Sequence, residues 1–451
     1  MTNLLERTRK KIYSFKQNDL FTKSIGNLFV QIMGLGLSYF VVYLISRTYN
    51  ADTLGYYILA TVLLQVSIIV VLFGINTATV QMVPGFHSKQ QNDAVNSVLI
   101  KGVVHIFVVG LLVTTIVYFS AGLIAIYLMH KPKLTAGYQM VSLAIIPFAL
   151  FTFIADFLRA LGKNILWAII IQVLVFLIFI ILFLFNLYAF KNPQPIAIYT
   201  IANFAAMAVT LIILMVCLKK EKLKLSFKYI KHEPSYKKIR TLSFPMFLFS
   251  SSLLLSGWVT IIMLGSLGTT TDTGIYRVVD RIGSLSVLIL TAVNVVLAPK
   301  IAASFARNDF GLLKQNVLFS AKLIFWLSLP VQAILIIFHS AALFIFGHEF
   351  IRGGTALVII LTGQIFNSLT GPCGQVLNMT NHQVFLRNVS LVSLVIMVVI
   401  NYFLIPRFGV SGAAVSSLFG NVFINILSVL KIKKEFSFNT IYNPFRSVPA
   451  R

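Results

Sequence analysis

The chain reads as a dozen apolar stretches of about twenty residues each, separated by short polar loops. They lie near 24–46, 56–82, 98–120, 138–160, 164–188, 195–218, 243–265, 274–298, 316–339, 354–376, 384–405 and 410–431. A helix of about twenty apolar residues crosses a hydrocarbon layer of roughly 30 Å. In lipid every backbone N–H and C=O must find its partner inside the protein, so spans of this kind are expected to be helices. The pattern predicts an all-α integral membrane protein with 12 transmembrane helices.

Composition agrees. Hydrophobic residues make up 58% of the 451 and charged residues 11%, with a mean hydropathy of +0.90. A soluble fold of this length needs far more surface charge. An even number of spans puts both termini on one side, and Lys and Arg name the side. The termini and even-numbered loops, counted together with Arg159, Arg387 and Lys431 at the span ends that face them, carry 27 of these residues, and the odd-numbered loops only six: Arg47, Lys131, Lys133, Lys191, Arg352 and Arg407. Both termini are therefore expected in the cytoplasm. The net charge of +25 does not indicate a nucleic-acid partner. It is spread over cytoplasmic loops, where it sets topology and meets anionic lipid headgroups. The first 23 residues are polar and basic, so no cleavable signal peptide is expected. Cys217 and Cys373 fall in or near spans and imply no disulfide framework. The longest connection, about 219–242, is too short to be a catalytic domain.

A repeat runs through the chain at an offset of 219 residues. It pairs Ser24 with Ser243, Gly55 with Gly274, Tyr57 with Tyr276, Leu158 with Leu377 and Lys163 with His382; Asn203 and Asn421 pair at 218. The expected division is a six-helix half at 1–218, a basic cytoplasmic linker at 219–242, a second six-helix half at 243–431 and a cytoplasmic tail at 432–451. Six spans per half give both halves the same orientation, so the repeat is parallel, a plan common among transporters.

Charges inside spans are costly and need a reason. The richest group is Arg277, Asp280 and Arg281 in the eighth span. Arg277 and Arg281 share a helix face, and Asp280 is three residues from Arg277. Two guanidiniums against one carboxylate leave a positive patch that suits phosphate oxygens. The other reading is an interfacial cluster that snorkels outward. Lys322, in the ninth span, is a further candidate for a cationic cavity. Asp156 and Arg159 form an i,i+3 set at the end of the fourth span, for charge pairing or for coupling. Lys101 opens the third span and is expected to snorkel to headgroups, and Arg47 to anchor the outer interface. Pro245, Pro330 and Pro372 interrupt apolar runs and predict kinks. No nucleophile–His–acid set, metal-ligand spacing or phosphate-binding loop is visible, so neither a catalytic residue nor a cofactor or metal is expected.

The segment Ile400-Asn401-Tyr402-Phe403-Leu404-Ile405-Pro406-Arg407-Phe408-Gly409-Val410-Ser411-Gly412-Ala413-Ala414-Val415 resembles a stretch of polysaccharide flippases. Leu377-Asn378-Met379-Thr380-Asn381, Gly274-Ile275-Tyr276, Leu297-Ala298-Pro299-Lys300-Ile301-Ala302, Leu54-Gly55-Tyr56-Tyr57 and Phe73-Gly74-Ile75 resemble others in the same order. Together they cover most of the chain, which is similar to the Wzx-type lipid-linked oligosaccharide flippases of the MATE-like exporter superfamily. The resemblance implies a twelve-helix transporter in a bacterial cytoplasmic membrane. Its cargo would be undecaprenyl-pyrophosphate-linked repeat units for O-antigen, capsule or exopolysaccharide. The implied partners are that lipid-linked oligosaccharide, membrane lipids, and glycan polymerase and chain-length machinery. A greasy tail, an anionic pyrophosphate and a polar glycan would suit a cationic cavity open to lipid.

Other classes remain open at this stage. The facilitator-type loop signature is absent between the second and third spans, where Pro84-Gly85-Phe86-His87-Ser88-Lys89 stands. A MATE-type exporter of small cations would want an acidic cavity. A membrane glycan-processing enzyme would need acids on sizeable outer loops, and Asp52, Asp272 and Glu349 are the acids on these short ones.

Overall fold

In the computed structural model the described residues are 26–27, 29–190, 194–223 and 226–442. The N-terminal basic cluster (Arg7 to Lys23), Ser24, Lys191, Lys224 and the tail beyond Tyr442 lie outside them. Among the described residues the chain is helical, with no strand. The first helices are α1 (Phe29–Thr48), α2 (Ala51–Leu72), α3 (Ile75–Ser88) and α4 (Asn92–Leu123). Next come α5 (Leu134–Ser142), α6 (Ile145–Ala160), α7 (Asn164–Phe190) and α8 (Pro195–Lys220). The later helices are α9 (Tyr236–Leu267), α10 (Thr270–Gly283), α11 (Val287–Ala306) and α12 (Phe310–Ile337). The chain closes with α13 (His339–Phe344), α14 (Gly354–Thr370), α15 (Cys373–Met379) and α16 (Gln383–Phe436).

Among the described residues eight helices are long and apolar enough to cross a membrane, or up to ten if each bent pair counts as one span. The bent pairs are α5 with α6, at 45°, and Thr270–Asn294 with Val296–Ala306, at 44°, so the second bend falls within α11. One helix of the count hides a fold. At 54 residues α16 is too long for one span. Gly409, at φ 51° and ψ −123°, breaks it. The two arms then run antiparallel: Ser393 Oγ donates to the Gly420 carbonyl at 3.1 Å, and Ser416 Oγ to the Met397 carbonyl at 3.0 Å. The arms coincide with the stretches expected at 384–405 and 410–431.

Two compact units make up the chain. One holds residues through Val42, Leu63–Tyr127 and Lys131–Ser250; the other holds Tyr43–Val62, Leu128–His130 and the rest from Ser251. α2 therefore begins in the second unit and ends in the first. α9 begins in the first and ends in the second. In the first unit the buried surface of α6 is nearly continuous, with Ala149, Phe151, Phe153, Ile154 and Phe157 fully or almost fully enclosed. In the second, Leu297, Ile301, Leu313, Val317, Val376, Leu377 and Ile432 form a common core. Phe107, Leu111, Phe119, Phe185, Phe319 and Tyr402 are exposed. Such an apolar exterior would be a liability in water and is the natural boundary with lipid.

The region expected to be a free basic linker, 219–242, is tied down in part. A 3-10 turn spans Phe227–Lys231, and α9 already begins at Tyr236. Lys101, expected to snorkel, does not: it is 2% exposed. Its Nζ donates to the carbonyls of His232 at 2.5 Å and Pro234 at 2.6 Å, and Ser97 Oγ donates to the same His232 carbonyl at 2.9 Å. Burial of an ammonium requires such partners. They come from a segment more than 130 residues away, which local reading of the third span does not reveal.

Candidate functional site

α10 carries the arginine cluster. The helix starts with a capping box: Thr269 Oγ1 accepts from the Asp272 N–H at 2.9 Å, and Asp272 Oδ2 accepts from the Thr269 N–H at 3.1 Å. Asp272 is thus committed to the cap. Gly274, Ile275, Tyr276, Val278, Val279 and Ile282 are buried. Arg277, Asp280, Arg281 and Ser284 follow one another at i, i+3, i+4 and i+7, a polar stripe along the remaining face.

The Arg277 side chain is only 12% exposed. Its Nη1 lies 3.3 Å from Asp280 Oδ2, and its Cζ lies 5.2 Å from the centre of the Trp258 ring on α9. The indole face and the carboxylate hold the guanidinium from two sides. At the preceding residue, Tyr276 Oη and Ser417 Oγ of α16 share a hydrogen bond of 2.7 Å. Asn401 Nδ2 donates to Thr260 Oγ1 at 3.3 Å within the same unit. Arg281 stands one turn beyond Arg277, its own carbonyl accepting from Ser284 Oγ. With Asp280 the single carboxylate of the stripe, its net charge is positive.

Lys322 is not brought to this stripe. It is exposed on α12 beside exposed Phe319, Leu323 and Trp326. Among the described residues it has no ion-pair partner. Among the described residues no direct ion pair joins Asp156 to Arg159. Asp156, 9% exposed, accepts from Asn76 Nδ2 and from Trp167 Nε1, both at 2.9 Å. Arg159 is exposed, and its Cζ sits 4.5 Å from the centre of the Trp167 ring. The two charges meet on the indole, one at its N–H and one at its face, rather than directly. Arg47 lies 5.8 Å from the Phe344 ring centre.

Sequence reasoning missed the tryptophans. There are three in the chain, and each holds a polar group: Trp167 as described, Trp258 under Arg277, and Trp326 donating to Tyr442 Oη at 3.0 Å. A buried indole N–H needs an acceptor, and its face attracts cations. Each of the three lies on a different element from the group it holds, so no local signal in the sequence pointed to these contacts.

At the loop ends of the first unit Glu221 gathers two partners. Lys163 Nζ is 2.8 Å from one carboxylate oxygen, and His87 Nε2 is 3.7 Å from the other. The hydrogen bond from Lys163 pulls the Glu221 carboxyl below its ordinary range and raises the Lys163 amine. In the second unit Glu435 takes Lys431 at 2.6 Å and His382 at 3.9 Å. Lys163 and His382, paired by the 219-residue offset, thus each reach a glutamate just beyond or at the end of a long helix. Among the described residues no three His, Cys, Asp or Glu side chains cluster as a metal site.

Helices bent in pairs, a helical hairpin at Gly409 and charged groups enclosed between spans define a polytopic membrane protein. The chain belongs to the polysaccharide biosynthesis protein family, which matches residues 20–305. It is 23% identical over 189 residues to the probable low-salt glycan biosynthesis flippase of Haloferax volcanii. That match spans 41% of this chain and 40% of the relative. Among solved structures it is similar to the lipid II flippase MurJ in an inward closed conformation, with a TM-score of 0.73 and 16% identity over 92% of this chain and 88% of that one. An inward-facing multidrug resistance MATE family transporter gives 0.66 at 15% identity, over 92% and 98% of the two chains. A superfamily transporter from Pyrococcus furiosus gives 0.65 at 15%, over 92% and 94%. The fold is that of the MATE-like multidrug, oligosaccharidyl-lipid and polysaccharide exporter superfamily.

Proposed function

We propose that this protein is a flippase. It moves polyprenyl-pyrophosphate-linked oligosaccharide units across the bacterial cytoplasmic membrane for O-antigen, capsule or exopolysaccharide assembly. The observation that carries this reading is the positive stripe of Arg277 and Arg281 within a membrane helix of a polysaccharide biosynthesis protein. A guanidinium pair with one nearby carboxylate can receive a pyrophosphate, whose charge otherwise faces hydrocarbon at prohibitive cost. Asp280 holds Arg277 in place between turnovers. In this reading residues 1–218 and 243–431 act as two parallel six-helix halves joined by 219–242, with both termini and the 432–451 tail cytoplasmic. Lys322 faces lipid headgroups rather than the cargo. Asp156 and Arg159 brace the first half. Partners are the lipid-linked oligosaccharide, membrane lipids, and the polymerase and chain-length machinery that receive the product; no nucleic acid takes part.

The test is surface glycan in cells carrying Arg277→Ala, Arg281→Ala or both. Glycan falls at unchanged protein level in the membrane, and Arg277→Lys restores it only in part, because an ammonium cannot make the bidentate contact. Normal glycan in the double variant would overturn the proposal.

A further inference from the structure

A second cationic feature, made by other residues than the arginine stripe, belongs to the first unit. Phe73, Tyr236, Lys237, Arg240, Thr241 and Phe244 line an open cavity of about 610 Å³. Its walls are held in place. Phe73 and Gly74 form the turn between α2 and α3, both with positive φ, and the Gly74 Cα packs so tightly on α9 that a Cβ would meet the Phe247 nitrogen at 2.8 Å. The Phe73 ring stacks on Phe247 at 4.6 Å and lies 6.0 Å from Phe244. Tyr236, at the other wall, faces the buried Lys101 Nζ at 5.5 Å.

The two cations of the cavity are exposed, and among the described residues neither has a carboxylate partner. Their placement along α9 is not that of scattered surface charge. Lys237, Arg240, Thr241, Phe244 and Leu248 recur at i, i+3, i+4, i+7 and i+11, one face of the helix. Its first turn is cationic and hydroxylic. Further along, Phe244 and Leu248 are each 51% exposed and apolar. A ligand matching this face has an anionic head with oxygen acceptors and an apolar tail in line with it. A soluble anion leaves the apolar part unused, and a neutral lipid leaves the cations unused.

We infer that this cavity is a loading site for the phosphate or pyrophosphate head of a membrane lipid, its tail lying along Phe244 and Leu248. The inference rests on the flippase reading, in which a charged head must be gathered from one leaflet before it crosses. Lys237 and Arg240 bind the head; neither is part of the α10 stripe.

The experiment uses the full chain in phosphatidylcholine nanodiscs and three probes: farnesyl pyrophosphate, farnesol and inorganic pyrophosphate. Farnesyl pyrophosphate binds best. In an Arg277→Ala, Arg281→Ala background it still binds, and adding Lys237→Gln and Arg240→Gln weakens it by about tenfold or more, since one lost charge-assisted contact is worth roughly that factor. Both substituted side chains are exposed, and unchanged thermal melting checks that the fold persists. Undiminished binding in the Lys237→Gln, Arg240→Gln protein, with binding lost in the Arg277→Ala, Arg281→Ala protein, overturns the inference and leaves the flippase reading standing. Inorganic pyrophosphate binding as tightly as farnesyl pyrophosphate overturns it too, because the lipid tail then contributes nothing. Binding as expected, with surface glycan normal in every variant, supports the lipid site and sinks the flippase reading instead.

Discussion

Gly55 and Gly274 lie against each other where α2 crosses α10. A Cβ on Gly274 would stand 3.1 Å from the Gly55 nitrogen and overlap the Ala51 carbonyl; a Cβ on Gly55 would overlap the Thr270 carbonyl. The contact is reciprocal, each glycine meeting the residue four before the other. Asp52 accepts a hydrogen bond from Thr270 Oγ1 beside it, and Glu349 accepts from the Ala51 N–H. These glycines are the pair matched by the 219-residue offset, so the repeat meets itself at this crossing.

Because the obstruction is backbone, no rotamer change relieves it. Gly55→Ala and Gly274→Ala are each expected to destabilise by about 1–3 kcal/mol, the range for overpacking. Gly36→Ala, where a Cβ meets nothing within 4 Å, should be neutral or slightly stabilising. Thermal melting of the purified protein in detergent measures all three. Equal melting of Gly36→Ala and Gly274→Ala would show that the crossing is loose.

The Lys163–Glu221 pair predicts a pH dependence. The Glu221 carboxyl is lowered on folding, so its contribution is present above the ordinary carboxylate range, about 4.3, and is lost as pH falls through the lowered value. The Lys163 amine is raised, so its contribution is present below about 10.4 and is lost as pH rises through the raised value. The melting difference between wild type and Lys163→Gln should therefore be flat from about pH 5 to 10 and shrink at both ends. With Lys163 40% exposed, water screens the pair and the plateau is at most about 1 kcal/mol. A difference that grows toward either extreme contradicts the assignment.

The helices were legible because a membrane writes them at a length of about twenty apolar residues. Even the hairpin was legible, since Pro406 and Gly409 divide two such runs. The break at Phe73–Gly74 inside the expected 56–82 span was not, because the residues around it stay apolar. The site was legible only as charge. Arg277 and Asp280 are three apart and share a helix, so their pairing could be read directly. Trp258 under Arg277 could not, because tertiary packing brings it there. Lys322 was legible only as a cation in a span: its exposure on α12, with no contact to the Arg277 stripe among the described residues, depends on packing that its apolar sequence neighbours do not reveal. Asp156 and Arg159 have the spacing of an ion pair, and a tryptophan from α7 stands between them.

Lys101 fastens the 219–242 segment to α4. Lys101→Met keeps the volume of the stem and removes the donor, leaving the His232 and Pro234 carbonyls without their ammonium. The expected loss is about 1–3 kcal/mol of local stability. It should appear as faster proteolysis between residues 221 and 235 in inside-out vesicles, with the transmembrane helices intact. Unchanged cleavage would mean that the other contacts of the segment suffice.

The 27-to-6 distribution of Lys and Arg predicts the orientation. In a cysteine-free background, a cysteine at position 235 should resist a membrane-impermeant thiol reagent in intact cells, and one at position 271 should react. The opposite pattern would invert the topology and the direction of transport.

Asp156 has both carboxylate oxygens occupied, Oδ2 by Asn76 and Oδ1 by the Trp167 indole. A carboxylate so engaged ties α3, α6 and α7 together, and releasing it to carry a proton would break two hydrogen bonds in a buried place. Its expected role is therefore to hold the first unit. Trp167→Phe removes one donor while keeping a ring beneath Arg159 and should cost about 1–3 kcal/mol. Asp156→Asn should lower stability in the same way, because an amide offers one acceptor oxygen where the carboxylate offers two. Transport per molecule of folded protein should be unchanged in both variants. If Asp156→Asn instead melts like wild type and carries no cargo, the carboxyl is a coupling group, and its two hydrogen bonds must open during each cycle.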